Sequence, residues 1–252
     1  TFFASSNAQS AKSNANNLPI GVFDSGTGGL TILEAMLTLD AFNNTTGLPG
    51  ADGKPDFTTE YFQYLADQAN MPYGNYAAEK KTDLLKEHIF KNMEYFLQKE
   101  SFKPDVKMIV LACNTATAYA LEDIRARLTN EGFNVPVLGV IDAGSKAALE
   151  YQQKNGTGTI GVFATAGTVA SNGYPRTLQA MAKAKGLPAL SIISQGGAGL
   201  AESIDRDWSY FVDTITKARV DYKGPSLKNN TYAIDTLLLA AYRFDKSNNK
   251  LL

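Results

Sequence analysis

Residues 108–117 read MIVLACNTAT, and this stretch decides the fold class of the chain. A short apolar run leads straight into Cys113, the one cysteine of the sequence. Such a run is typical of a strand buried on both faces, as in a parallel sheet. The small polar residues Asn114 and Thr115 then suit a loop at the carboxyl end of the strand, opening a helix that continues through YALEDIRARL. Open α/β sheets bind ligands at this edge, where a helix N-terminus lowers the pKa of a thiol and attracts anions.

The order of strand, small-residue loop and helix recurs along the chain. IGVF at residues 20–23 precedes the turn DSGTGG and the helix LTILEAML, and IGVF at residues 160–163 precedes another loop and helix. Further strands are predicted in EYFQYLAD, VPVLGV, ALSIIS and AIDTLLLAA. Repeated βα units predict an α/β fold with mainly parallel sheets. We expect two similar α/β domains, 18–141 and 142–252, with the site in the cleft between them.

The segment between the strands EYFQYLAD and MIVL contains a loop and a helix. QANMPYGNY is predicted as the loop, and AAEKKTDLLKEHIFKNMEYFLQKE as one long amphipathic helix. The apolar stripe of this helix is expected to comprise Leu84, Leu85, Ile89, Met93 and Phe96. His88 lies in the same helix and is interpreted as a surface or flank histidine without a catalytic role. Residues 38–59 carry Gly, Pro, Asn and Asp at high density, which predicts an inserted surface excursion.

Composition and charge exclude several classes of function. With 44% hydrophobic and 19% charged residues, the chain has an ordinary globular composition. A net charge of -1 gives no basic excess for a polyanion, so nucleic-acid binding is disfavoured. No apolar run approaches the roughly 18 residues of a membrane span. One cysteine and one histidine exclude an internal disulfide and a zinc-type ligand cluster, although an all-carboxylate metal site stays open.

The first residues of the chain predict a leader. Residues 1–17 are rich in Ser, Asn and Ala and lack periodicity, as flexible segments do. The stretch SNAQSA has small residues spaced like a signal-peptidase site and follows the apolar TFF closely. Export is therefore one hypothesis, and an artefact of processing is the other.

Five loops together resemble those of one family. They are IGVFDSGTGGLTIL at 20–33, QYLADQANMPYG at 63–74, LACNTATA at 111–118, IGVFATAGTVASNGY at 160–174 and SQGGAGLAE at 194–202. In this order they are similar to the motifs of the aspartate/glutamate racemase superfamily, and to the glutamate racemases most closely. The resemblance covers nearly everything from residue 19 to residue 245. It implies a cofactor-independent isomerase of acidic amino acids that is cytoplasmic, commonly dimeric and linked to the peptidoglycan of the cell wall.

The resemblance also implies roles for individual residues. In this family two cysteines face the α-carbon from opposite sides, one as thiolate and the other as thiol, and Cys113 matches the first. Asp24 and Ser25 then hold the substrate amino group or orient Cys113, while Asn114 and Thr115 hold its carboxylate. The remaining matches are pocket residues Pro72, Tyr73 and Gly74, a contact from Thr168, and Glu202 as a carboxylate that assists the second cysteine.

The second cysteine is where the chain departs from the family. The family pattern is a strand leading into LGCTHYP, whereas here Ala241 stands at the cysteine and Arg243 at the histidine. Tyr242 is a pocket candidate with an acidic phenol, but it aligns one position away. Alanine has no titratable group, and arginine stays protonated and is a poor base. The chain also ends soon after this motif, where the family normally continues, so we expect either a shorter protein or a truncated one.

Three interpretations of Cys113 follow. The first is a one-thiol site that binds an acidic amino acid or related carboxylate, performs chemistry on one face and racemises little. The second is an inactive relative that binds a ligand or regulates a partner. The third is a hydrolase in which Cys113 attacks a carbonyl, although His88 lies far from any loop motif and leaves it without a base. Plain structural roles stand beside all three, because a lone cysteine is commonly just buried and Asp24 also fits a cap.

Overall fold

The computed structural model describes residues 17–97, 105–156 and 158–197, together with 244–245 and 250–251. The chain divides into two compact units, residues 1–197 and 198–252. The predicted leader, the strand AIDTLLLAA and the residues Glu202, Ala241, Tyr242 and Arg243 lie outside the described residues. The domain boundary at 141/142 stays a prediction, as does the position of the site in a cleft between two domains.

The first unit contains a four-stranded parallel sheet. Its strands are β1 (Ile20–Asp24), β2 (Phe62–Ala66), β3 (Met108–Leu111) and β4 (Val137–Gly139), in the order β2-β1-β3-β4. Strand β1 is central and buried along its whole length, and β3 is buried from Ile109 onward. The apolar run at 108–111 is therefore an inner strand of a parallel sheet, and the predicted α/β class is confirmed.

Seven helices are described in the first unit. They are α1 (Gly29–Leu37), α2 (Tyr73–Ala78), α3 (Thr82–Leu97), α4 (Asn114–Asn130), α5 (Val140–Asn155), α6 (Ala166–Ala170) and α7 (Gly173–Ala184). A short 3-10 helix at Gln68–Asn70 follows β2. Two more strands, β5 (Ile160–Thr165) and β6 (Ile192–Gly197), pair in parallel and repeat the βα plan. Within the described residues, every helix is too short or too polar to cross a membrane.

The core forms where α3 and α4 pack against the first sheet. Leu85, Ile89, Met93 and Phe96 are buried against Phe23 and Ile109. The predicted stripe was wrong at Leu84, which is 41% exposed. Successive helical residues are about 100° apart, so a stripe centred on Leu85 and Ile89 turns Leu84 towards solvent.

Several predicted boundaries were also wrong. QANMPYGNY is not a continuous loop, since Tyr73 and Gly74 begin α2. The long helix does not start at Ala77, because Lys80 has a φ of 59° and separates α2 from α3. Asn114 and Thr115 are the first residues of α4 rather than a loop, and β4 runs directly into α5. Apolar periodicity does not specify the first residue of a helix, so α2, α4 and α5 begin earlier, and α3 later, than it indicates.

The surface excursion at residues 38–59 is held by carboxylates that accept from backbone amides. Asp40 accepts from Asp52 and Gly53, and Asp56 accepts from Ala41 and Phe42. The segment contains one isolated bridge and is otherwise irregular, as predicted. In the second unit, the described residues are an antiparallel pair, β7 (Phe244–Asp245) and β8 (Lys250–Leu251).

Candidate active site

Cys113 lies where β3 ends and α4 begins. Strands β1 and β3 are paired so that Phe23 lies beside Leu111. Continuing that register by two residues brings Ser25 opposite Cys113, and the Ser25 hydroxyl lies 3.4 Å from the Cys113 Sγ. Two loops that are 88 residues apart in the sequence therefore meet at the carboxyl edge of the sheet.

The thiol is also the cap of the helix that follows it. The backbone N–H of Ala116 donates to the Cys113 Sγ at 3.4 Å, as in an N-cap residue of helix α4. The side chain is only 5% exposed and packs in the same cluster as Phe23, Leu111 and Tyr73. The expectation that Cys113 is accessible to a ligand stays a prediction.

Asp24 is the charged residue that acts on the thiol from the end of β1. It is buried at the end of β1 and accepts a hydrogen bond from the backbone N–H of Gly29 at 2.8 Å. A Cβ on Gly29 would lie 2.7 Å from the Cβ of Asp24 and 3.0 Å from the Cβ of Ala112. Gly29 is therefore required for α1 to begin this close to the strand end. The N-cap residue of α1 is Gly28, and Asp24 accepts from the first backbone N–H of the helix.

Burial and charge make the thiol a weak acid. Burial raises the pKa of Cys113, and the Asp24 carboxylate raises it further. Hydrogen bonds from Ser25 and from the Ala116 amide oppose this rise without cancelling it. The thiol therefore ionises less readily than an exposed cysteine, contrary to the lowered pKa that a helix N-terminus alone predicts.

Tyr64, which no sequence pattern singled out, contacts the same loop. The Tyr64 hydroxyl, on β2, donates to the carbonyl of Gly26 at 2.9 Å. Burial, together with the charges of Asp24 and Cys113, raises the pKa of Tyr64 to about 12. This phenol stays protonated at neutral pH and holds the loop that carries Ser25.

Asn114 and Thr115 begin α4, so their side chains lie at the positive end of a 17-residue helix. Thr115 is buried. The Asn114 Oδ1 accepts a hydrogen bond from the hydroxyl of Tyr174, on α7, at 2.9 Å. The next threonine of the motif has a structural role, because the Thr117 hydroxyl donates to the carbonyls of Cys113 and Leu111.

A buried polar network supports the PYG segment. The hydroxyl of Tyr73 donates to Asp67 Oδ2 at 2.7 Å, and the side-chain amides of Asn70 and Asn92 donate to the same carboxyl group. Burial and the hydrogen bond to Asp67 raise the pKa of Tyr73 strongly. The phenol is thus a fixed donor, and its ring contacts that of Phe23 beside the thiol cluster.

The rest of the PYG segment contacts the loop of the matched stretch IGVFATAGTVASNGY. Pro72 is exposed and follows a cis peptide bond, while Gly74 lies against α6. A Cβ on Gly167 would lie 2.9 Å from the Cα of Gly74, so the two backbones touch. Thr168, the next residue, is buried and accepts a hydrogen bond from the hydroxyl of Thr165. The structure thus places the loop that carries Gly167 and Thr168 beside the PYG segment.

His88 is closer to this region than the sequence indicates. Its ring lies 5.6 Å from that of Tyr76, and the Tyr76 ring lies 6.1 Å from that of Tyr73. These contacts are edge-to-face aromatic packing within α2 and between α2 and α3. Glu202 and Tyr242 lie outside the described residues, so their places in the site stay predictions.

Sequence reasoning missed Tyr64, Asp67 and Tyr174. Asp67 had a usable signal, since it follows the strand β2 as Asp24 ends β1. Tyr174 closes the matched stretch IGVFATAGTVASNGY but was given no role. Within the described ranges, no group of three or more His, Cys, Asp or Glu side chains is placed to hold a metal ion.

Several known proteins resemble this chain in sequence and in fold. The family model described as "Asp/Glu/Hydantoin racemase" matches residues 75–220. Glutamate racemase of Lactiplantibacillus plantarum is 30% identical over 230 residues, and that of Streptococcus thermophilus is 34% identical over 229 residues. Each match covers 91% of this chain and 68% of the relative.

Two solved structures are similar as well. Glutamate racemase isoform RacE1 from Bacillus anthracis has a TM-score of 0.55 and 28% sequence identity, with 76% of this chain and 57% of that chain covered. Glutamate racemase from Campylobacter jejuni has a TM-score of 0.52 and 28% identity, with 78% and 63% covered. The chain thus spans less than two thirds of either solved protein. The match of the family model to more than half of the sequence means that this chain belongs to the Asp/Glu/hydantoin racemase family.

Proposed function

We propose that this chain binds an acidic amino acid, or a related carboxylate, beside Cys113 and exchanges the α-proton on one face with little true racemisation. The observation that carries the proposal is the contact of Ser25 with the Cys113 thiol, with Asp24 at the same strand end. These groups come from two matched motifs, and a carbon acid needs a positioned base of this kind.

The carboxylate of the ligand is assigned to the start of α4. Asn114 and Thr115 supply side-chain donors there, and the first backbone N–H groups of the helix favour an anion. Asp24 is assigned to the ammonium group, with Ser25 orienting the thiol. Pro72, Tyr73, Gly74 and Thr168 form the surroundings, and Glu202 and Tyr242 complete the site by family resemblance alone.

The chemistry of a single thiol is limited to one face. The Cys113 thiolate removes the α-proton, the electron pair stays on the carbanion, and the thiol then returns a proton to the same carbon. Inversion requires a second acid on the opposite face, and the sequence has no other cysteine. Loss of a general acid or base commonly lowers a rate by about 10²–10⁴-fold, so we expect inversion to be slower than exchange by at least that factor.

A second candidate function is ligand binding without catalysis. It is favoured by the raised pKa of the buried Cys113, since the thiol rather than the thiolate predominates at neutral pH. An ammonium group beside Asp24 opposes this effect, because a cation there offsets the charge that raises the thiol pKa. The two candidates therefore differ in whether ligand binding is enough to ionise Cys113.

Exchange in deuterated water separates the candidates. Each enantiomer of glutamate and aspartate is incubated with the full chain, then analysed by NMR for α-deuterium and by chiral chromatography for inversion. We expect deuterium in one enantiomer without inversion, and loss of the label in Cys113→Ala. Thermal protection without labelling would favour the binder, and rapid inversion of unlabelled substrate would refute the one-thiol mechanism. Ala241→Cys with Arg243→His is expected to increase inversion.

The oligomeric state, the cellular location and the biological role are proposed from the family alone. A homodimer, a cytoplasmic location and a contribution of D-amino acids to peptidoglycan are the expectations that the relatives suggest. Light scattering on the purified chain tests the first of them directly.

A further inference from the structure

One hydrogen bond joins the Cys113 loop to a helix that no assigned role involves. The hydroxyl of Tyr174, on α7, donates to the Oδ1 of Asn114 at 2.9 Å, across 60 residues of sequence. Asn114 is the residue next to the thiol and the first residue of α4. The contact therefore determines how the Asn114 amide is turned at the edge of the candidate site.

The position of Tyr174 is fixed by the packing of α7 on α4. The neighbouring Gly173 is buried, and a Cβ there would lie 3.0 Å from the Cβ of Ala118. One turn later, the Arg176 Nη2 donates to the carbonyl of Ala118 at 3.1 Å. Because Ala118 lies one turn beyond Asn114, these contacts hold the start of α7 along the same side of α4.

The hydrogen bond leaves one end of the Asn114 amide free. A side-chain amide has an acceptor oxygen and a donor NH₂ group, and the hydroxyl of Tyr174 occupies the oxygen. In the described part of the chain, the Asn114 Nδ2 has no hydrogen-bond partner. An amide held in this way keeps its Nδ2 available as a donor at the start of α4.

The Tyr174 phenol is suited to this task. The residue is half-buried, and burial raises its pKa, so it stays protonated and able to donate throughout the physiological range. The ring fits beside Gly144 of α5, where a Cβ would lie 3.4 Å from the ring and 3.7 Å from the hydroxyl. The phenol is thus held by contacts with both α4 and α5.

The geometry points to Tyr174 as a positioning residue that locks the Asn114 amide, and so makes the site select a carboxylate over the corresponding amide. Either oxygen of a carboxylate can accept from the Asn114 Nδ2, whereas a carboxamide can accept only through its single oxygen and loses the hydrogen bond when its own NH₂ group faces the Nδ2. This inference rests on the proposed function only in assigning Asn114 to the ligand carboxylate.

The lock itself is tested without a ligand. The full chain is labelled with ¹⁵N, and the side-chain amide resonances of Asn114 are compared between the wild type, Tyr174→Phe and Tyr151→Phe. Tyr151 is a matched control because its side chain is 70% exposed. We expect the Asn114 resonances to move in Tyr174→Phe and to stay in Tyr151→Phe. Unmoved resonances in Tyr174→Phe, with unfolding in urea unchanged, would overturn the inference whatever the site binds.

The selectivity is tested with glutamate and its α-carboxamide, isoglutamine, by calorimetry. In Tyr174→Phe the amide of Asn114 can rotate, so we expect glutamate to bind about tenfold more weakly and isoglutamine to be nearly unaffected. A merely structural role would weaken both ligands equally and would contradict the inference. Failure of the wild type to bind either ligand would refute the proposed function, while the NMR experiment would still decide the lock.

Discussion

Gly29→Ala tests whether the start of α1 is as tightly fitted to Asp24 as the structure shows. The added methyl group would lie 2.7 Å from the Cβ of Asp24, 3.0 Å from the Cβ of Ala112 and 3.0 Å from the Tyr64 hydroxyl. Two of these neighbours belong to buried strand ends and cannot move freely. The helix start must therefore shift, which lengthens the 2.8 Å hydrogen bond between the Gly29 amide and Asp24. We expect a loss of about 1–3 kcal/mol from overpacking.

Gly28→Ala is the matched control one residue earlier. A Cβ on Gly28 would lie 3.6 Å from the Asp24 Oδ2, an ordinary contact, and its φ of −59° suits alanine. That change should be neutral, or should stabilise the chain by about 0.4–1 kcal/mol through the unfolded state. Urea unfolding followed by circular dichroism measures both variants, and Gly29→Ala should lower the midpoint by roughly 1 M. Equal midpoints for the two variants would refute the close packing at Asp24.

Two further predictions concern the buried groups of the site. Burial and Asp24 raise the pKa of Cys113, so the midpoint of its alkylation by iodoacetamide should lie above the usual cysteine pKa of about 8.5. Asp24→Asn should move this midpoint to lower pH, and Ser25→Ala should move it to higher pH. Intact mass follows the reaction without ambiguity in a chain with one cysteine, and a wild-type midpoint below about pH 8 would contradict this account. Tyr73→Phe removes one of the donors to buried Asp67 and should cost about 1–2 kcal/mol in urea unfolding, whereas Tyr61→Phe, which is 73% exposed, should cost nothing measurable.

The sequence was sufficient to predict β1 and β3 because nearly all of their residues are buried on both faces. IGVF at residues 20–23 and MIVL at residues 108–111 have few polar atoms to place, and both are inner strands. Helix boundaries depend instead on single backbone conformations, such as the left-handed Lys80 that separates α2 from α3. Apolar periodicity carries no information about such a residue, and the long helix was therefore predicted to begin too early.

The sequence predicted which residues lie at the strand ends, but not which of them are in contact. Asp24, Ser25 and Cys113 follow strand ends, and the parallel pairing of β1 with β3 brings the latter two into contact. Which strands are neighbours is a property of the whole sheet, so the contact could not be derived from either loop. Tyr174 was missed for the same reason, since its partner Asn114 lies 60 residues away, while the partners of Asp67 lie 3 to 25 residues from it.

The fold and the chemistry place opposite demands on Cys113. Filling the core favours a buried, uncharged side chain at Cys113, whereas removing an α-proton requires a thiolate. The same carboxylate that holds the start of α1, Asp24, is one of the groups that keep the thiol protonated. Under the proposed function, the ammonium group of the ligand lies beside Asp24 and offsets one of the charges that raise the pKa of Cys113, while its carboxylate lies at the start of α4. Under the proposed function, the ligand thus supplies the positive charge that moves the Cys113 pKa towards the value that a base requires.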